Sequence, residues 1–134
     1  MIIRKNRFHG LNSLRHVYRN GKVVRNPNLS VRVSVNDRRQ TYRCAVVVAK
    51  KVSKSAVVRN RIRRRLYELV RQESGDISKP YDIVITVFTP QLAQMPATEL
   101  QKSLYQLLAQ AGVIDNHNSN QAHKNDIIDT KEPK

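Results

Sequence analysis

The segment from Lys50 to Arg71, K-K-V-S-K-S-A-V-V-R-N-R-I-R-R-R-L-Y-E-L-V-R, constrains this chain more than any other. Val58, Ile62, Leu66 and Leu69 recur at the spacing of one helical face. On a wheel centred on Ile62 the other three lie within about 40° of it, at 100° per residue. Eight of the sixteen residues from Lys50 to Arg65 are Lys or Arg, and none is acidic. Such a segment must be a helix with one side in a core and the other facing a polyanion. Asn60, Arg64 and Arg71 point away from the apolar side, with Arg61 and Arg63 on its flanks. Arg59 and Arg65 lie nearer the core edge, placed to brace the helix or to snorkel outward. Lys50, Lys51 and Lys54 precede the helix on a short loop, where helix-start N–H groups add to anion binding. Guanidinium groups grip phosphate bidentately and stack on bases, so a nucleic acid is the expected partner.

The distribution of charge supports this. Residues 1–72 hold 20 Lys+Arg against two acids, Asp37 and Glu68; residues 73–134 hold 5 against 8. The halves therefore carry +18 and −3, which sum to the net +15. Charge gathered in one half is an electrostatic footprint rather than a general aid to solubility. A membrane is disfavoured as partner, because the basic helix lacks an exposed Trp/Phe/Leu face. No apolar run reaches the roughly 18 residues of a membrane span, and M-I-I-R-K-N-R-F is not a secretory signal. The single cysteine, Cys44, allows no internal disulfide, in keeping with a cytoplasmic protein.

At 134 residues the chain is one domain by length. Leu11, Leu14, Val17 and Tyr18 follow helical spacing, with Asn12 or Ser13 as cap and Gly21 as stop. Lys22 to Asn28 reads as a basic loop turning at N-P-N. Leu29 to Asn36 alternates, giving a strand with Ser30, Arg32, Ser34 and Asn36 on a wet face. After a turn at Asn36–Arg39, the apolar run in Thr41–Ala49 predicts a central strand buried on both faces. Ser53 or Ser55 caps the basic helix, which runs to about Glu73 and ends at Ser74-Gly75. Asp82 to Phe88 is a further strand. Leu100, Leu104, Leu107, Leu108 and Ala111 mark a last amphipathic helix closed by Gly112. Residues 1–114 thus form the domain, and the Asn-rich residues 115–134 read as a disordered polar tail. The expected fold is α+β, a two-layer α/β sandwich with a small mixed sheet. Its first two strands are antiparallel neighbours, and the basic helix crosses over to a parallel third.

Catalytic chemistry by the polypeptide itself is not expected. His117 and His123 fall in the tail without a partner cysteine. His9 and His16 suit RNA-facing or solvated positions better than an acid–base pair, and Cys44 suits a buried strand position. A nuclease built on Mg²⁺ needs several carboxylate ligands, which the basic half lacks. No phosphate loop of the form G-x-x-x-x-G-K-[ST] is present. Arg15 and Arg19 of the first helix and Arg32 of the first strand stand near Phe8 and Tyr18. Aromatics beside arginines suit the stacking of single-stranded bases. Two separate RNA surfaces on so small a domain imply a protein that joins two RNAs.

The segment K-S-A-V-V-R-N-R-I-R-R resembles the signature of the bacterial ribonuclease P protein component, K-x-A-V-x-R-N-R-x-K-R. The match covers Lys54, Ala56, Val57, Arg59, Asn60, Arg61, Ile62, Arg63 and Arg64. V-V-A-K-K-V is similar to the strand and loop before it, with Ala49 where a serine is usual. R-F near the start, V-Y-R-N-G-K and Y-D-I-V-I-T extend the likeness across about residues 4–112.

The resemblance implies an α/β sandwich like one domain of a small-subunit ribosomal protein, with a left-handed strand–helix–strand crossover against the usual rule. It implies a protein subunit whose partner RNA is the catalyst. The holoenzyme removes the 5′ leader of precursor tRNA with Mg²⁺ bound by RNA, the protein itself holding no cofactor, and a one-to-one complex of protein and RNA is expected. By position, Arg59, Asn60, Arg61, Arg63 and Arg64 would hold the catalytic RNA, assisted by Lys50, Lys51 and Lys54. Phe8, Leu14, Arg15, Tyr18 and Arg32 would face the leader. Leu14 and Arg32 stand where many members carry aromatics, so leader contacts here lean towards electrostatics. A ribosomal or ribosome-assembly protein would share the basic helix but not the R-N-R pattern. A DNA-binding regulator would need a short helix and tight turn before a recognition helix, which is missing.

Overall fold

The computed structural model describes residues 11–36, 40–77 and 79–114, with only the backbone at 11–14 and 20. Its elements run α1 (Leu11–Asn20), β1 (Lys22–Arg25), β2 (Leu29–Val35), β3 (Arg43–Val47), α2 (Ala56–Gln72), β4 (Tyr81–Val87) and α3 (Ala97–Gln110). The four strands form one mixed sheet in the order β1-β2-β4-β3. β4 runs antiparallel to β2 and parallel to β3, so α2 is the crossover helix.

The alternation of β2 decides both faces of the sheet. Leu29, Val31 and Val33 join Cys44, Val46, Ile83, Ile85 and Val87 on the face covered by α2 and α3. From α2 come Ile62, Leu66 and Val70, and from α3 Leu100, Leu104, Leu107 and Leu108, all buried. These are the two principal layers. On the opposite face α1 lies across part of the sheet, with Val17 packed against Ala45 and Val84. Gly21 makes that approach possible. A Cβ there would stand 2.5 Å from the Val17 carbonyl oxygen and 3.0 Å from that of Val33.

Three expectations need correction. Residues 22–25 are not loop but the edge strand β1, paired antiparallel with β2. The Asn26 side chain takes the turn instead, its Oδ1 accepting from the N–H groups of Asn28 (2.8 Å) and Leu29 (3.0 Å). β2 and β3 are not neighbours, because β4 inserts between them. β3 is buried on both faces, as its apolar run predicts, yet it is an edge strand rather than a central one. The Tyr67 hydroxyl of α2 accepts from the Val46 N–H at 3.1 Å, which blunts that open edge.

On the α1 face, Arg43 of β3 and Asp82 of β4 form a buried bidentate pair. Nε donates to Oδ1 and an η nitrogen to Oδ2, each at 2.9 Å. Asn36 Nδ2 adds a bond to Oδ2 at 3.1 Å. α3 ends as expected at Gly112, whose φ of 83° few other residues adopt.

Candidate nucleic-acid interface

α2 begins where its sequence calls for it. Ser55 is the N-cap, in extended conformation, with Oγ accepting from the Val58 N–H at 3.2 Å. The buried stripe is Ile62, Leu66 and Val70, with Val58 and Leu69 half-buried beside it. Asn60, Arg61 and Arg64 are exposed on the other side, and Lys50, Lys51 and Lys54 are exposed on the preceding loop. Among the described residues none gives Arg61, Arg64 or these lysines a hydrogen bond or ion pair. Arg63 is half-buried and donates to the Asn60 amide oxygen one turn back.

The rim stops at the end of the helix. Arg71 is exposed but donates from Nε to both Glu68 carboxylate oxygens at 3.1 Å, and from an η nitrogen as well. These bonds help to lower the Glu68 carboxyl below its ordinary range, and at neutral pH the two opposite charges of the pair offset one another. With Arg71 paired, the helix cations not offset by a carboxylate among the described residues are Arg59, Arg61, Arg63, Arg64 and Arg65, and Arg61, Arg64 and the lysine loop are the most open of the basic groups.

The two arginines at the core edge differ from the rest. Arg65 spends its guanidinium on the carbonyls of Leu92 and Met95, tying α2 to the short 3-10 turn Pro90–Ala93. Of the two roles open to it in the sequence, it takes the brace. Arg59 donates to the Ser53 carbonyl at 2.9 Å, joining the helix to the loop that carries the lysines. That loop is further closed by Val52 N–H to the Ala49 carbonyl (3.0 Å) and Ser55 N–H to Ser53 Oγ (3.2 Å). Arg59→Ala is expected to speed hydrogen exchange at the Val52 amide in the free protein. Unchanged exchange would show that the loop holds itself without Arg59.

A second surface lies on the opposite side of the sheet, beside α1. Arg15 and Arg19 are exposed there on the helix. Tyr18 is 41% exposed, so it does not plug the core. Its hydroxyl meets Thr86 Oγ1 at 3.3 Å, and the Arg32 guanidinium lies 5.0 Å from its ring centroid while donating to the Tyr18 carbonyl at 3.3 Å. Ser30, expected on a wet face, is buried under this layer. Phe8 lies outside the described residues, as does the side chain of Leu14. Sequence reasoning passed over one further pair, in which Arg25 of β1 lies over the Phe88 ring at 5.5 Å from its centroid. Only the strand register brings those two together.

Among the described residues no three His, Cys, Asp or Glu side chains gather as a metal site requires. No described helix is long and apolar enough to cross a membrane.

Comparison with known proteins bears on this arrangement. A family model described as Ribonuclease P matches residues 2–112. A ribonuclease P protein component of Chloroflexus aurantiacus is 39% identical over 100 residues, covering 75% of this chain and 73% of that protein. One from Synechocystis is 36% identical over 103 residues, covering 77% and 82%. The RNase P protein of Staphylococcus aureus superposes with a TM-score of 0.73 at 25% identity, covering 82% of this chain and 98% of that one. That of Thermotoga maritima shares the fold with a TM-score of 0.65 at 24% identity, over 72% and 89%. With the R-N-R helix, the mixed sheet and these relatives in agreement, the chain belongs to the ribonuclease P protein family.

Proposed function

We propose that this chain is the protein subunit of a ribonuclease P that removes the 5′ leader of precursor tRNA. It binds the catalytic RNA through the exposed rim of α2, Asn60, Arg61, Arg63 and Arg64, with Arg59 and the Lys50, Lys51 and Lys54 loop. It receives the single-stranded leader on the sheet face beside α1, through Arg15, Tyr18 and Arg32 together with Phe8 and Leu14. The observation that carries this reading is the unsatisfied cationic rim of α2 on one layer, set against an arginine-lined aromatic face on the other. Two RNA surfaces on opposite sides of one sheet let the protein hold substrate against catalyst.

The phosphodiester chemistry belongs to the RNA, which also holds the Mg²⁺ ions, and the protein binds no cofactor. Residues 1–114 carry the binding functions. The complex is one protein to one catalytic RNA, in the cytoplasm. Under this reading the RNAs that copurify with the protein are the catalytic RNA and tRNA precursors. Recovery of ribosomal RNA alone would replace it with a ribosomal role.

A further inference from the structure

The geometry points to a second base-stacking subsite at Arg25 and Phe88, taking an unpaired leader nucleotide beyond the one that meets Tyr18. This rests on the reading that the face beside α1 receives the leader. In the sheet, Arg25 pairs with Ser30 and Ser30 with Thr86, while Val23 pairs with Arg32 and Arg32 with Val84. Directly paired residues share a face, and Val84 packs under Val17 of α1. Arg25 and Val23 therefore stand on the same face as Tyr18 and Arg32, and Phe88 continues the alternation of Val84 and Thr86. The Tyr18 hydroxyl touches Thr86, and Phe88 is two residues further along, about 7 Å at the rise of a strand. One strip thus holds two aromatic rings in succession, each with an arginine against it.

The chemistry of the strip selects its ligand. Phe88 is 40% exposed and Val23 43%, so neither serves only to fill the core. Arg25 is exposed and has no carboxylate partner among the described residues. Asp82, the buried acid on this face, is already held by Arg43 and Asn36. A surface of exposed rings and unneutralised arginines complements a phosphate backbone with free bases. Duplex bases are stacked on one another and cannot use a ring, so the occupant is a single strand. A pair that only shielded the end of β1 would not need an open ring face and an uncompensated charge.

The test is equilibrium binding of the assembled holoenzyme to precursor tRNAs with graded leader lengths, read as the gain in affinity as the leader grows. Wild type gains in steps. Phe88→Ala and Phe88→Leu lose a late step of roughly tenfold, the scale of one base stacked on an aromatic ring, and Phe88→Tyr keeps it. Tyr18→Ala loses an earlier step. The leucine variant keeps apolar bulk at the strand end, so a folding defect in the alanine variant does not decide the matter. If Phe88→Leu keeps every step, or weakens all lengths equally, the subsite does not exist. If wild type gains nothing from a leader, the leader reading itself falls and this inference with it.

Discussion

Replacing Arg61 and Arg64 together by alanine is expected to weaken binding to the catalytic RNA by about 60-fold at about 0.1 M salt. Each phosphate contact contributes roughly 0.9 to the slope of log affinity against log salt, so the slope should become shallower by nearly 2. Both side chains are exposed and make no bond to a described residue, so the free protein should melt at its wild-type temperature. Arg65→Ala should do the reverse. It removes the cross-links to Leu92 and Met95 and lowers the melting temperature, with the salt slope retained. A double variant whose slope is unchanged would remove Arg61 and Arg64 from the interface.

The largest effect on stability is expected at Asp82. Asp82→Ala leaves the Arg43 guanidinium buried without its bidentate partner and deprives Asn36 of an acceptor. Breaking a buried pair from one side costs about 3–5 kcal/mol. At about 4 °C or more per kcal/mol for a domain this size, the thermal midpoint should fall by about 12 °C or more. Replacing both partners with apolar residues, Arg43→Met with Asp82→Leu, should cost far less, because no charge is then stranded. A fall of only a few degrees for Asp82→Ala would show that contacts other than Asp82 carry the Arg43 charge.

Local signals were the legible part of this fold. Ser55 and the Ile62, Leu66 spacing place α2, Gly112 closes α3, and alternation reveals β2, because each depends on residues within a turn or two. What failed depended on partners distant in sequence. K-V-V-R is too short to show a period, and it is a strand only because β2 offers it an edge. The apolar run of β3 signals two covered faces, but helices cover an edge strand here as fully as a central one. Adjacency of β2 and β3 followed from their short connection, and nothing local to either reveals that β4 enters between them.

The candidate site divides in the same way. The rim of α2 was readable because eight cations in sixteen residues leave the core only one side. For Arg59 and Arg65 bracing was one of two readable roles, but the choice between them was not readable, because their acceptors are backbone carbonyls, which any residue supplies. Helical spacing alone leaves Tyr18 free to face core or surface, and its position over a partly covered sheet leaves the ring exposed. Arg25 and Phe88 meet only through the register of three strands.

Cleavage of precursor tRNA at low Mg²⁺, with catalytic RNA and purified protein supplied separately and together, tests the central claim most directly. The protein alone should cut nothing, the RNA alone little, and the mixture should release the 5′ leader efficiently, with the Arg61→Ala, Arg64→Ala variant needing far more protein to do so. Leader release by the polypeptide without RNA, or no stimulation of the RNA by wild-type protein, would contradict it.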